Sequence, residues 1–341
     1  MSKDRRQVMA AILRVLDEAG RPAGSTRIAR SLRAAGIDLE QRMVRNYLAM
    51  TDAEGLTVNL GRPGRRLTDR GRQELAATGA IDKVGFIDAR GEELAYTMTF
   101  DLRRRRGTVV LNLSTVPHDK LEEARRIVAS VLKAGLGMGR FGILDATGTA
   151  AAGPLADRRA GPPAGWRAGL ATSDAEAVIG TVCALTLNGL LGAAGVPVVS
   201  RFGGLLEIQD GEPYRFTHII RYDGTTLDPI EIFIKARMTS VQAAATSGHG
   251  IIGASFREVP AIALPGVHKV VRQMEEAGLG GMVVVGRPGR PLAEIPVDRG
   301  RAGLIVAAGL NPIAAVQEAG IPTENRAMAR LCEFQDLQPL I

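Results

Sequence analysis

Four side chains at helical spacing, Gln41, Arg42, Arg45 and Asn46, form a set that can read nucleic-acid base edges. An arginine fork bonds guanine at two points, and Asn and Gln do the same for adenine. A second set consists of single polar residues inside apolar stretches: Thr186, Asn188, Ser200 and Arg201, then Arg257 and Asn311. A buried arginine is costly without a partner. Arg201 therefore calls for a carboxylate, from Glu207 or Glu231 or from a small anionic ligand gripped by an arginine fork, with Lys235 and Arg237 as further charge. Covalent chemistry finds less support. Gly137-Met-Gly139-Arg-Phe-Gly142 matches G-x-G-x-x-G, yet a helix is expected before it and a strand after it, the reverse of a nucleotide fingerprint. A helix C-cap followed by a turn explains those glycines better. His118, His218, His249 and His268 are scattered, and the sequence has no Walker loop, no H-E-x-x-H, no zinc-spaced cysteine pair and no Gly-x-Ser-x-Gly. The residues offer neither a catalytic constellation nor a metal or cofactor site, and the chain reads as a non-enzyme.

The base-reading set needs a helix to carry it. Arg5 to Ala19 predicts an amphipathic helix with Val8, Ile12, Val15, Leu16 and Ala19 on one stripe. Gly20-Arg-Pro-Ala-Gly24 breaks it, Ser25 caps a second helix burying Ile28, Ala29 and Leu32, and Gly36 stops that one. Asp38, three residues before Gln41, suggests a capping box for a third helix that buries Leu39, Met43, Val44, Tyr47 and Leu48. Leu56–Leu60 and Arg65–Thr68 predict a hairpin around Gly61-Arg-Pro-Gly64, followed by a fourth helix from Asp69. Three helices and a hairpin with a basic tip are the winged-helix order. It would place the third helix in the major groove and bring Arg62, Arg65 and Arg66 to backbone or minor groove.

The second set sits in a sequence that repeats itself. Ala184–Gly204 is echoed at Ala308–Pro322: Leu-Asn, a small-residue helix, Ala-Gly, a β-branched residue and Pro recur in order. Upstream, Val116-Pro117 and Val259-Pro260 each precede an amphipathic run, and each proline lies 18 residues before the first glycine of a Gly-Leu-Gly. Apolar segments follow at Phe141–Leu144 and Met282–Val285. The expected architecture is an α/β domain with an internal pseudo-two-fold repeat, its halves about 108–204 and 250–325, each covering the other's apolar face. Between them a hairpin turns at Asp210-Gly211, Leu227–Lys235 is a strand or short helix, and Thr239–Gly250 reads as a flexible connector. Tyr96–Phe100 and Thr108–Leu113 alternate like strands around Arg103–Arg106, a solvated tip, while Ile81–Ala95 stays ambiguous. Ala146–Gly169 reads as a surface insertion, and the boundary is expected at Thr78–Ile81, giving domains 1–78 and 79–341.

Composition agrees with this division. Residues 1–75 carry 15 Lys and Arg against 9 Asp and Glu, the remainder 28 against 27, so nearly all of the net +7 lies in the proposed winged helix. Two cysteines and no basic-then-apolar opening fit a reducing cytoplasm. The uncharged run Val178–Ser200 is interrupted by glycines, Asn188 and Pro197, and reads as buried strand and helix rather than a membrane span.

Longer motifs then narrow the reading. Asp82-Lys-Val-Gly-Phe86, Leu94–Phe100, Val198–Glu207, Tyr222–Pro229 and Gly253–Pro260 occur in order, and together they resemble the archaeal nitrogen-assimilation repressors, the NrpR family. The resemblance covers essentially the whole chain, as a winged helix followed by one copy of the regulatory domain. It implies a repressor of nitrogen genes binding a palindromic operator, with 2-oxoglutarate as the inducer that weakens the hold on DNA. Because some members carry two regulatory domains in tandem, one copy implies a homodimer. Thr186, Asn188, Ser200, Arg201 and Arg257 are the expected effector contacts, from the residues themselves. Three alternatives stay open: a regulator of other genes with a different small anionic effector, a C-terminal half that only dimerises, and an α/β enzyme with an N-terminal interaction module.

Overall fold

The computed structural model describes residues 3–34, 37–76, 86–146 and 176–341. They fall into two compact units, described in turn. The expected boundary, the stop at Gly36, most of the Asp82–Phe86 motif and nearly all of the 146–169 insertion lie outside the described residues.

The first unit has helices α1 (Lys3–Ala19), α2 (Ser25–Ala34) and α3 (Gln41–Ala53), a ribbon of β1 (Thr57–Asn59) and β2 (Arg65–Leu67), and α4 (Asp69–Ala76). The period-3.6 apolar positions predicted from sequence meet in one cluster of Ile12, Leu16, Ile28, Leu32, Val44 and Leu48. Met9 and Leu13, on the flank of the expected stripe, pack instead with Leu56 and Leu67 and seat the ribbon on α1. Ala23 exchanges two backbone hydrogen bonds of 3.0 Å with Arg65, adding a third extended segment that the sequence reading missed. A Cβ on Gly64 would stand 2.3 Å from the Ala23 carbonyl carbon, so only glycine allows that approach. Two expectations need correction. Met43 is 42% exposed rather than core. No side chain caps α3: Glu40 is its N-cap, Asp38 pairs with Arg33 at 2.8 Å, and Gln41 turns back toward α2.

The second unit starts with α5 (Phe86–Thr97) and then runs twice through one pattern. The first copy is β3 (Thr108–Pro117), α6 (Leu121–Lys133), β4 (Phe141–Asp145), β5 (Glu176–Val182), α7 (Thr186–Ala193) and β6 (Val199–Gln209). Hairpin strand β7 (Glu212–Arg221), α8 (Pro229–Lys235) and α9 (Val241–Ser247) come between. The second copy is β8 (Gly250–Pro260), α10 (Leu264–Ala277), β9 (Val283–Val285), β10 (Arg301–Ala307), α11 (Asn311–Glu318) and β11 (Glu324–Glu333), with β12 (Gln338–Pro339) closing the chain. The strands form two antiparallel sheets, β7-β6-β8-β10-β9 and β11-β3-β5-β4-β12. Each copy therefore sends its last strand into the other's sheet: β6 lies beside β8, and β11 beside β3. The helices exchange likewise, α6 against α11 and α7 against α10. One core contains Val109, Leu111, Leu187 and Leu191 of the first copy with Val259, Val267, Leu304 and Val306 of the second.

The Gly-Leu-Gly segments meet where the copies cross. Gly278 is the C-cap of α10 with φ of 78°, and Gly135, with φ of 74°, follows the Ala134 C-cap of α6, so the first glycine of each Gly-Leu-Gly turns the chain out of its helix. Beyond them the loops touch backbone to backbone: Gly139 N–H donates to the Gly280 carbonyl at 2.6 Å and Met282 N–H to the Gly135 carbonyl at 2.8 Å. A Cβ on Gly281 would come within 1.8 Å of the Gly137 carbonyl oxygen.

Three further expectations change. Tyr96–Phe100 is not a strand, because α5 runs through Thr97, whose hydroxyl donates to the Glu93 carbonyl at 2.7 Å. The ambiguous 86–95 stretch thereby becomes helix. Thr239–Gly250 is no flexible connector but holds α9, whose N-terminus is bound by Glu318: its carboxylate accepts from Thr239 Oγ1, Val241 N and Gln242 N at 2.7–2.9 Å. The two helices after the β7 hairpin, α8 and α9, have no counterpart after β11. No helix among the described residues is long and apolar enough to cross a membrane.

Candidate functional site

In the first unit, burial of Val44 and Leu48 leaves Arg42, Arg45 and Asn46 exposed on the opposite side of α3. Gln41 donates to Thr26 Oγ1 at 2.6 Å and to Ser25 Oγ at 3.2 Å, which ties the start of α3 to the start of α2. On the ribbon, Arg62 and Arg66 are exposed. Arg65 is turned inward, its Nε donating to Asp52 Oδ2 at 2.7 Å, while Thr57 Oγ1 donates to Asp52 Oδ1 at 2.5 Å. Asp52 thus fastens the end of α3 to both ribbon strands. Three solvated side chains on α3 and two ribbon arginines form a basic face, and Gln41 and Arg65 fix the framework behind it.

The second unit holds a partly open cavity of about 170 Å³. Its wall takes equivalent residues from both copies, Ala184 with Gly309, Leu185 with Leu310, and Asn112 with Ser255, so it straddles the pseudo-two-fold. Asymmetry enters from α5, which contributes Ile87, Asp88, Gly91 and Glu92, and from Tyr222, Asp228 and Ile230 between the copies. Arg257 on β8 is 3% exposed. Its Nη2 donates to the Ala184 carbonyl at 3.0 Å, while Nε and Nη1 have no partner among the described residues. Burial lowers its pKa, and nearby Tyr222 and Cys183 partly oppose that. A guanidinium stays protonated all the same, so two of its nitrogens are left as charged donors without a partner among the described residues. Asn188 donates to Ser200 Oγ at 3.0 Å, and its own Oδ1 is buried without a partner among the described residues.

Three acids of this region, Asp228, Glu231 and Asp88, have raised pKa values. Burial pushes Asp228 up although it N-caps α8, accepting from Ile230 N at 2.9 Å and Glu231 N at 3.2 Å. Glu231 is raised by burial and by Asp228, and its carboxylate accepts from Ala327 N. Asp88 is raised by burial, then by Glu92 and Asp223. Cys183, the thiol in the wall, is pushed by burial up to about 11, so it stays protonated near neutrality and is a poor nucleophile. The described residues contain no cluster of His, Cys, Asp and Glu able to hold a metal. The arrangement is one for holding a small anion: a buried guanidinium with free donors beside the Asn188–Ser200 pair, with the carboxyl groups of Asp88 and Glu92 also in the wall.

Of the expected effector residues, Asn188, Ser200 and Arg257 line this cavity. Thr186 does not; it is fully buried and braces β3, its hydroxyl 3.3 Å from Val110 N and 3.5 Å from Val110 O. Arg201 also lies elsewhere, 42% exposed and 3.5 Å from Glu258 Oε2, which Arg301 bonds at 3.0 Å. Its partner is neither Glu207, which pairs with Arg215, nor Glu231. The strand register decides this, because β6 puts Val199 opposite Glu258. Sequence reasoning missed Asn112, Tyr222, Asp228 and α5. Asn112 carried the same signal as the others, a lone polar residue in the apolar run 109–113.

Comparison with known proteins follows the same division. The family model for NrpR regulatory domains NRD1 and 2 matches residues 84–152 and 165–339, and that for the ribonuclease R winged-helix domain matches 10–75. Global nitrogen regulator NrpRI of Methanosarcina mazei is 32% identical over 96% of both chains. Global nitrogen regulator NrpR of Methanocaldococcus jannaschii is 30% identical over 71% of this chain, which spans 37% of that relative. The one from Methanococcus maripaludis is 23% identical over 96% of this chain, which spans 54% of it. The crystal structure of a nitrogen repressor-like protein from Methanococcus jannaschii superposes with a TM-score of 0.59 at 25% identity, covering 74% of this chain and 97% of that one.

Proposed function

The chain belongs to the NrpR family of nitrogen-related transcriptional regulators, and we propose that it is a cytoplasmic, homodimeric repressor of nitrogen-assimilation genes that 2-oxoglutarate releases from a palindromic operator. The observation that carries the effector half is Arg257, a buried guanidinium with two free donors in a cavity of about 170 Å³. That volume is below the roughly 300–1,000 Å³ of drug-sized pockets and suits a small metabolite. One carboxylate oxygen of the dianion accepts from a free guanidinium nitrogen, Nε or Nη1, and the Asn188–Ser200 pair serves the remaining oxygens.

The DNA half rests on the exposed basic face. In a dimer, two α3 helices would address half-sites about 34 Å apart, with Arg42, Arg45 and Asn46 toward base edges and Arg62 and Arg66 on phosphate or minor groove. Arg45→Ala is expected to cost about 1–3 kcal/mol of specific binding and relax one base position, whereas Arg66→Ala weakens binding uniformly across sequences. Such a regulator responds only if the effector binds its DNA-competent and DNA-incompetent states unequally.

A gel shift on the protein's own upstream region, with and without millimolar 2-oxoglutarate, tests the scheme. Specific binding weakened by the ligand supports it, and Arg257→Met should then still bind DNA but ignore the ligand. Specific binding indifferent to the ligand discards this effector in favour of another small anion. Absence of specific binding removes the operator reading altogether.

A further inference from the structure

Charge in the cavity is arranged in opposition. Arg257 lies on β8, while α5 turns Asp88 and Glu92 toward the same space, with Asp223 close enough to raise Asp88. Asp223 itself is paired with Arg221 at 2.7 Å, so its charge is partly answered, whereas Asp88 has Glu92 for a neighbour. An anion held by Arg257 therefore meets two carboxylates of α5 in the wall of the same cavity, half-buried Asp88 and exposed Glu92, and like charges at short range repel.

Among the described side chains of the helix that carries these acids, Ile87 and Leu94 are the buried apolar ones. Arg90 is 3% exposed, and its Nε has no hydrogen-bond partner among the described residues. Gly91 faces Leu185 and Met328 with room for a methyl group, at 3.5 and 3.7 Å. An unsatisfied buried donor lowers the cost of undocking the helix that carries it. In the chain, α5 is also the first described element after the winged-helix unit.

We propose that Asp88 and Glu92 are the residues that set both the selectivity and the sign of the response: a purely anionic ligand on Arg257 and a docked α5 oppose each other, so binding loosens the helix that leads to the DNA-binding unit. The proposal rests on the reading that an anion occupies the Arg257 fork. It supplies what an effector requires, a difference in affinity between two states of one element. It also carries a selectivity rule. A dicarboxylate is repelled by α5 and loosens it; a molecule of the same length that adds an ammonium group is drawn to Asp88 and Glu92 and holds α5 in place.

The test uses the full chain and two probes, 2-oxoglutarate and glutamate. Calorimetry measures affinity, and hydrogen exchange of the α5 amides, with and without each probe, measures docking. The double variant Asp88→Asn/Glu92→Gln should bind 2-oxoglutarate about tenfold more tightly than wild type, within the usual range of coupling between sites. It should bind glutamate more weakly, and it should lose the faster α5 exchange that 2-oxoglutarate causes in wild type. Equal or weaker 2-oxoglutarate binding by the double variant, or slower α5 exchange with 2-oxoglutarate in wild type, overturns the proposal while leaving the anion site standing. Unchanged binding in Arg257→Met, or no binding of either probe to wild type, removes the anion site and the proposal with it. Single variants Asp88→Asn and Glu92→Gln keep the test open if the double variant does not fold.

Discussion

The two copies in the regulatory unit solve one structural problem with different residues. At the start of α7, Thr186 bonds the peptide of Val110; at the start of α11, Asn311 Oδ1 accepts from Gly253 N while its Nδ2 donates to the carbonyls of Gly253 and Leu136, all at 2.8 Å. The longer side chain stands opposite glycine and the shorter one opposite valine; a Cβ on Gly253 would lie 2.9 Å from Asn311 Oδ1. Four residues further along β3 and β8 the copies diverge in charge. Ser114 occupies in β3 the place that Arg257 occupies in β8, opposite Asn325 and Ser200 respectively. The frame has been kept in both copies, and the charge is present in one. That difference turns a symmetric junction into a single polarised cavity.

The comparison breaks most severely at the crossing of the loops. Gly281→Ala places a methyl group against the Gly137 carbonyl, so the loops must separate. A loss of about 4 kcal/mol or more in urea unfolding is expected, at the exceptional end for one substitution. Next comes the brace. Asn311→Ala strands three buried backbone groups and should cost about 3 kcal/mol, against about 1 for Thr186→Val, whose bonds are longer. Equal losses would mean that the two braces are not equivalent.

Arg257→Met sharpens the contrast in the opposite direction. Replacing a buried, half-satisfied charge by an apolar side chain of similar length should leave stability unchanged or raise it by about 1–2 kcal/mol, while anion binding disappears. A clear loss of stability would assign Arg257 a structural task. The smallest effect lies between the copies, at Glu231. Its folded pKa is raised, so the native state binds a proton more readily than the unfolded chain does. Its contribution is complete below the ordinary carboxylate range and is lost as pH rises through the elevated native value. In Glu231→Gln, stability should therefore fall less between pH 5 and pH 8 than in wild type; identical pH slopes would show that Glu231 titrates normally.

Much of this was legible in the sequence where the signal was periodic. The α1 and α2 stripes, the ribbon after α3, the Asp210-Gly211 hairpin and the 18-residue Pro-to-Gly spacing all map onto described elements. Periodicity could not supply pairing partners. The exchange of β6 and β11 between sheets left no trace in either strand's own pattern, and Arg201 met Glu258 through register, which is a property of two strands. The site was half legible for a related reason. A lone polar residue in an apolar run signals burial; it does not say whether the side chain braces a neighbouring strand, as Thr186 does, or faces a void, as Arg257 does. The expected strand at 96–100 and the connector at 239–250 failed because Thr97 and Glu318 satisfy helix ends through bonds that composition does not record.

The exchange of terminal strands also orders events in time. Leu113 on β3 pairs with Arg326 on β11, close to the other end of the chain. A chain emerging from the ribosome would complete its first copy while one edge of β3 still lacked its neighbour, and only the final segment would close it. An open, apolar β3 edge is a template for pairing with other chains. Truncation a few residues before β11 should therefore give aggregation rather than a smaller folded regulator, so that the edge of β3 reports whether β11 has been made.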